Sequence, residues 1–89
     1  MPFVDETGRQ LLTAAAVIGR TFQFDLLHAV SGRSEEESIA ALEQLLDQRL
    51  IREWDGLVYD FYHDQLRAVV YDEISAVRRR LLHRRVADA

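Results

Sequence analysis

The 89-residue chain contains no cysteine, and all eleven of its basic side chains are arginine, so it contains no lysine either. Without cysteine there are no disulfides, no thiolate nucleophile and no thiolate ligands for a structural zinc. Without lysine there is no P-loop lysine to cradle a phosphate, no Schiff-base amine and no lysine general base. Long apolar runs are missing as well. The longest, Ala14 to Ile18, falls far short of the roughly 20 residues that cross a bilayer. Met1-Pro2-Phe3-Val4-Asp5-Glu6 has no basic region followed by an apolar stretch, so no signal peptide is expected. No GxSxG, HExxH or paired-carboxylate arrangement stands out, which excludes the common catalytic constellations. The expectation is one cytoplasmic, non-enzymatic domain without a membrane segment.

What is present is an ordinary globular composition, 48% hydrophobic and 29% charged, with fifteen acids and a net charge of −4. That balance argues against a disordered segment. The charge is unevenly spread. Residues 76–89 hold Arg78, Arg79, Arg80, Arg84 and Arg85 against Asp88 alone, a net +4, while residues 1–75 carry a net −8. An acidic body over residues 1–75 and a basic connecting helix over 76–89 are therefore the two expected units.

The periodicity of apolar residues orders the chain. Leu11, Leu12, Ala15, Ala16 and Ile18 recur at helical spacing and predict a first helix from about Glu6 to Val17, ended by Gly19. Arg20-Thr21-Phe22 reads as a short extended link. A second helix begins near Asp25 and stops at Gly32. Ser34 and Glu37 form a capping box that opens a third helix with the stripe Ile39, Leu42, Leu45 and Leu46. The period then changes. Leu50 to Trp54 and Leu57 to Tyr62 are rich in branched and aromatic residues, and Asp55-Gly56 between them suits a type I′ turn. Tyr59, Phe61 and Leu57 are expected on the face that covers the core. Leu66, Val70 and Ile74 mark a fourth helix, and Ser75 caps a fifth carrying Val77, Leu81, Leu82 and Val86.

Three helices followed by a hairpin is the order of a winged helix, here a mainly α domain with two further C-terminal helices. Such a shape often reads DNA, but shape alone is a weak warrant. The third helix would present Glu35, Glu36, Glu37, Glu43, Gln44 and Asp47 to solvent, with Arg49 only at its end. That surface repels a phosphate backbone. The alternative nucleic-acid reading, for DNA or RNA, rests on the five C-terminal arginines. Those arginines equally suit a solvated face or an interface to a neighbouring domain, where arginine pairs with carboxylates. A plain protein-interaction module is a third reading.

The segment Phe61-Tyr62-His63-Asp64-Gln65-Leu66-Arg67 lies where the last strand gives way to the fourth helix. His63 there could aim an imidazole N–H at an anion near a helix N-terminus, or simply serve as a junction residue bonded to nearby backbone. Asp64 suits an N-cap or first-turn acid. Arg67 follows one turn later and could face the same cleft. Arg20 reads as a surface arginine pairing with one of the acids.

Taken in order, Ala14 to Phe22, Phe24 to Leu27, Phe61 to Arg67 with Tyr71, and Arg78 to Ala87 resemble the winged-helix domain that follows the nucleotide-binding core in bacterial STAND-class signalling ATPases. These include cyclase-linked ATPases and LuxR-type or other transcription regulators. The pattern F-x-H-x-x-x-R-x-x-x-Y, matched by Phe61, His63, Arg67 and Tyr71, carries most of the likeness, and Ala68 departs from it where the family often has glutamate. The resemblance implies a domain that senses ADP or ATP bound to the adjoining core and relays its state to C-terminal helical repeats. It implies that His63, with Arg67 beside it, contacts the β-phosphate of ADP. It also implies that Arg78, Arg79, Arg80, Arg84 and Arg85 face the repeats. The isolated domain is then expected to hold no cofactor of its own.

Two other histidines have plainer readings. His28 sits among Leu26, Leu27 and Val30 as a packing residue, and His83 lies within the arginine run. Asp60, His63 and Asp64 match no metal-ligand spacing, so no metal is expected.

Overall fold

The computed structural model describes residues 4–89, and the first residues of the N-terminal reading, Met1, Pro2 and Phe3, lie outside the described residues. The described chain is mainly helical. In order it forms α1 (Glu6–Ile18), β1 (Thr21–Gln23), α2 (Phe24–Ser31), α3 (Glu35–Asp47), β2 (Ile51–Trp54), β3 (Val58–Phe61), α4 (Asp64–Asp72) and α5 (Ala76–Asp88).

α1 is the centre of the molecule. The Asp5 carboxylate opens it by accepting from the Gly8 N–H at 2.8 Å, a short acid cap on otherwise orphaned donors. Leu11, Ala14, Ala15 and Ala16 are fully inaccessible and Leu12 nearly so. Those residues point in several directions around the helix, so α1 is enclosed rather than one-faced, and α2, α3, α4 and α5 all pack on it. Three consecutive alanines make that possible, because small side chains let helix backbones approach closely from several sides.

The capping box is present as the sequence indicates. Ser34 Oγ accepts from the Glu37 N–H at 3.1 Å, and the Glu37 carboxylate accepts from the Ser34 N–H at 3.2 Å. These bonds, aided by Arg33, hold the Glu37 carboxyl below its ordinary pKa. Ser34→Ala is expected to lower the unfolding free energy by about 1 kcal/mol, measurable as a reduced urea midpoint at unchanged slope.

Four details differ from the sequence pattern. The extended link after α1 is a third strand: Thr21, Phe22 and Gln23 pair antiparallel with Asp60, Tyr59 and Val58, giving the order β1-β3-β2. Phe22 drives this, being buried against the rings of Tyr59 and Phe61 at 6.2 Å each. Leu57 does not join Tyr59 and Phe61 on the core face but is 71% exposed. The register sets Trp54 opposite Val58, so Leu57 is the last residue of the turn and not the first of the strand. Asp55 and Gly56 do take the positive φ values, 54° and 72°, that the turn requires.

The α3 stripe is also rotated. Ser38, Ala41, Leu42 and Leu45 are buried, Leu46 is half-buried and Ile39 is exposed. The hydroxyls of Ser38 and Ser31 meet at 3.3 Å in the interior, and this satisfied polar pair takes the inward position that a leucine would otherwise fill. On α5, Leu82 is buried and Val77 is exposed, again because the apolar stripe is narrower than the spacing implied.

Candidate functional site

β3 delivers His63 to the surface. The strand alternation buries Tyr59 and Phe61, and the chain then emerges through Tyr62 and His63, both exposed. His63 is the N-cap of α4 with extended backbone (φ −128°, ψ 128°), and its side chain makes no capping bond. Its carbonyl accepts from the Leu66 N–H at 3.0 Å. Its ring meets Tyr62 edge-on at 5.1 Å. The backbone of His63 is thus fixed by the junction while its imidazole is held by a single aromatic contact. Among the described residues the imidazole makes no bond to backbone, which the alternative reading of a junction residue requires.

Asp64 occupies the first turn of α4 and pairs with Arg20 at 3.0 Å, both side chains being 77% exposed. Arg20 is therefore a surface partner of an acid, as expected. An exposed pair of this kind contributes little to stability, but it ties the start of α4 to the end of α1 beside His63.

Arg67 commits one of its five N–H donors to the scaffold. Its Nε donates to the Ala16 carbonyl at 3.1 Å, an oxygen in the last turn of α1 that has no helical partner. A guanidinium at a helix C-terminus is favoured by the helix dipole as well. Arg67 thus positions α4 on α1, and among the described residues it takes part in no ion pair.

The same device recurs in α5. Arg85 Nη1 donates to the Val30 carbonyl at the end of α2 at 3.0 Å. That guanidinium lies over Gly32, where a Cβ would meet Nη1 at 2.9 Å and where φ is +77°. Arg79 donates to the Ile74 carbonyl at 3.0 Å and stacks its cation 5.0 Å from the Tyr71 ring. Tyr71 in turn bonds His83 Nε2 at 3.1 Å. The five arginines therefore do not form one surface. Arg79 and Arg85 tether α5, Arg78 lines a groove, and Arg80 and Arg84 point to solvent.

That groove, of about 650 Å³, lies between α1, α5 and the α2–α3 connection. Arg9, Arg33, Arg78 and Arg85 line it together with Glu37 and Glu73. Arg33 is held by Gln10 at 2.6 Å and by Glu37 at 3.4 Å. The groove does not include His63.

On the outer face of the sheet Arg52 grips Asp60 with two bonds, 3.1 and 2.9 Å, and its guanidinium lies between Trp54 and Tyr62 at 5.0 and 5.5 Å. The bonds from Arg52 hold the Asp60 carboxyl below the usual aspartate pKa. A carboxyl depressed in the folded state stabilises fully above its unfolded value, and that contribution is lost as pH falls through the folded value. Acid unfolding below about pH 4 should therefore be less steep in Asp60→Asn than in wild type, read by circular dichroism against pH. An equal slope would contradict the pairing. Asp60 and Asp64 both turn to arginines, and among the described residues no group of three or more His, Asp or Glu side chains could hold a metal.

His28 is half-buried and stacks on Phe24 at 6.0 Å, consistent with a packing role. The acidic residues expected on α3 are all exposed. No helix among the described residues is long and apolar enough to cross a membrane. Compared with family models, curated proteins and solved structures, the chain matches none of them.

Proposed function

We propose that this chain is a non-catalytic regulatory winged-helix domain of a nucleotide-switched signalling ATPase or transcription regulator. It senses ADP or ATP on an adjoining core and passes that state to C-terminal helical repeats. The observation that carries the reading is His63: an exposed imidazole at a strand-to-helix junction, without an intramolecular hydrogen bond among the described residues. An N–H in that position suits an anionic oxygen, and in a cleft closed by a second domain such a charge-assisted bond is strong. The nearby N-terminus of α4 adds favourable polarity for the anion.

Three helices followed by a hairpin, with β1 closing the sheet, support the winged-helix assignment. The acidic outer face of α3 supports a role other than DNA reading, because its carboxylates would meet phosphates before any base edge. Arg67 fixes α4 beside this site through its Nε. The test is ADP release from the full-length protein carrying His63→Ala, which should be faster than from wild type. An unchanged rate would contradict the proposal.

A further inference from the structure

Among the described residues α3 and α5 each leave one unpartnered outer face, and the two faces are complementary. On α3, Glu36, Ile39, Ala40, Glu43 and Asp47 follow the i, i+3, i+4, i+7, i+11 spacing of a single helical face, and all five are exposed. On α5, Val77, Arg80 and Arg84 follow i, i+3, i+7 and are likewise exposed. Among the described residues none of Glu36, Glu43, Asp47, Arg80 and Arg84 takes part in an ion pair. Each row also carries one large aliphatic side chain that the core does not use, Ile39 at 43% and Val77 at 72% exposure. An apolar contact rimmed by polar and charged groups is the usual anatomy of a protein interface.

We infer that the occupant of each face is the other face of a second copy of this chain, with Ile39 against Val77 and the α3 carboxylates against Arg80 and Arg84. The two rows lie on one polypeptide, are opposite in charge, and match in helical form and in carrying one large aliphatic residue each. Because the two surfaces differ, the contact is head-to-tail, so it builds a ring or an open row rather than a two-fold dimer. The other arginines of α5 take no part, since Arg79 and Arg85 are spent on carbonyls and Arg78 lines the groove.

Exposed ion pairs are individually weak, so the association is expected at high protein concentration and should depend strongly on salt. Sedimentation velocity over a concentration series reads it directly. At an ionic strength of about 0.01 M, where charges act over about 30 Å, the mean sedimentation coefficient should rise with concentration. At about 1 M, where they act over about 3 Å, it should not. The double variants Arg80→Glu/Arg84→Glu and Glu36→Arg/Glu43→Arg should each stay monomeric at low salt while keeping wild-type helical content. Mixed in equal amounts they should associate, because each supplies the face that the other has lost. A monomeric wild type at low salt, wild-type association by either variant alone, or no recovery on mixing would overturn the inference.

Discussion

Leu11→Ala is expected to lower the unfolding free energy by about 2–5 kcal/mol, while Ile39→Ala changes it by less than about 0.5 kcal/mol. Leu11 is fully inaccessible within a helix that four others enclose, so no side of its site can collapse easily and the cavity term is retained. A domain of this size has a total stability of about 4–13 kcal/mol, so the loss is a large share of it. At roughly 4–8 °C per kcal/mol for such a domain, the melting temperature should fall by about 8–40 °C. Ile39 occupies a position that the helical periodicity of α3 assigns to the core, yet it is exposed. Thermal melts of the two variants side by side therefore separate the observed packing from the periodic pattern. Equal losses would mean that α3 is rotated relative to this description.

The second large effect concerns nucleotide. A hydrogen bond to a charged group contributes about 1.5–3 kcal/mol, so His63→Ala in the full-length protein should speed ADP release by about 10- to 100-fold. Basal output should rise with it, because a contact specific to the ADP-bound state in the proposed function is lost. Arg67→Ala should behave differently. It removes the donor to the Ala16 carbonyl and so should lower the thermal stability of the domain, which His63→Ala should leave near wild type. Stability and release rate measured on both variants distinguish the imidazole as a nucleotide contact from the guanidinium as a support.

Much of the helical order was legible because local signals agree with the fold. The Ser34–Glu37 capping box, the Ser75 cap, the stop at Gly32 and the Asp55-Gly56 turn are each short-range and each appear as read. What was not legible depends on distant partners. Three residues, Thr21 to Gln23, give too short an alternation to announce a strand, and only β3, almost forty residues on, makes them one. Val77 and Ile39 fit a helical repeat, but the packing of α3 and α5 on the enclosed helix α1 decides which row turns inward.

The candidate site divides in the same way. The position of His63 at a strand-to-helix junction follows from local pattern, and the structure places it there, exposed. The employment of Arg67, Arg79 and Arg85 as donors to carbonyls could not be read in the same way. Two of those acceptors lie 51 and 55 residues away in the chain. A run of arginines looks like one charged surface until the helix ends beside it are known.

The most direct measurement of the central claim is the ring resonance of His63 in the full-length protein, followed by NMR as nucleotide is exchanged. The imidazole signal should shift when ADP is bound and return toward its free position when ATP replaces it, with His28 and His83 unmoved. A His63 signal that is the same in the nucleotide-free, ADP-bound and ATP-bound protein would contradict the assignment of this residue as the sensor.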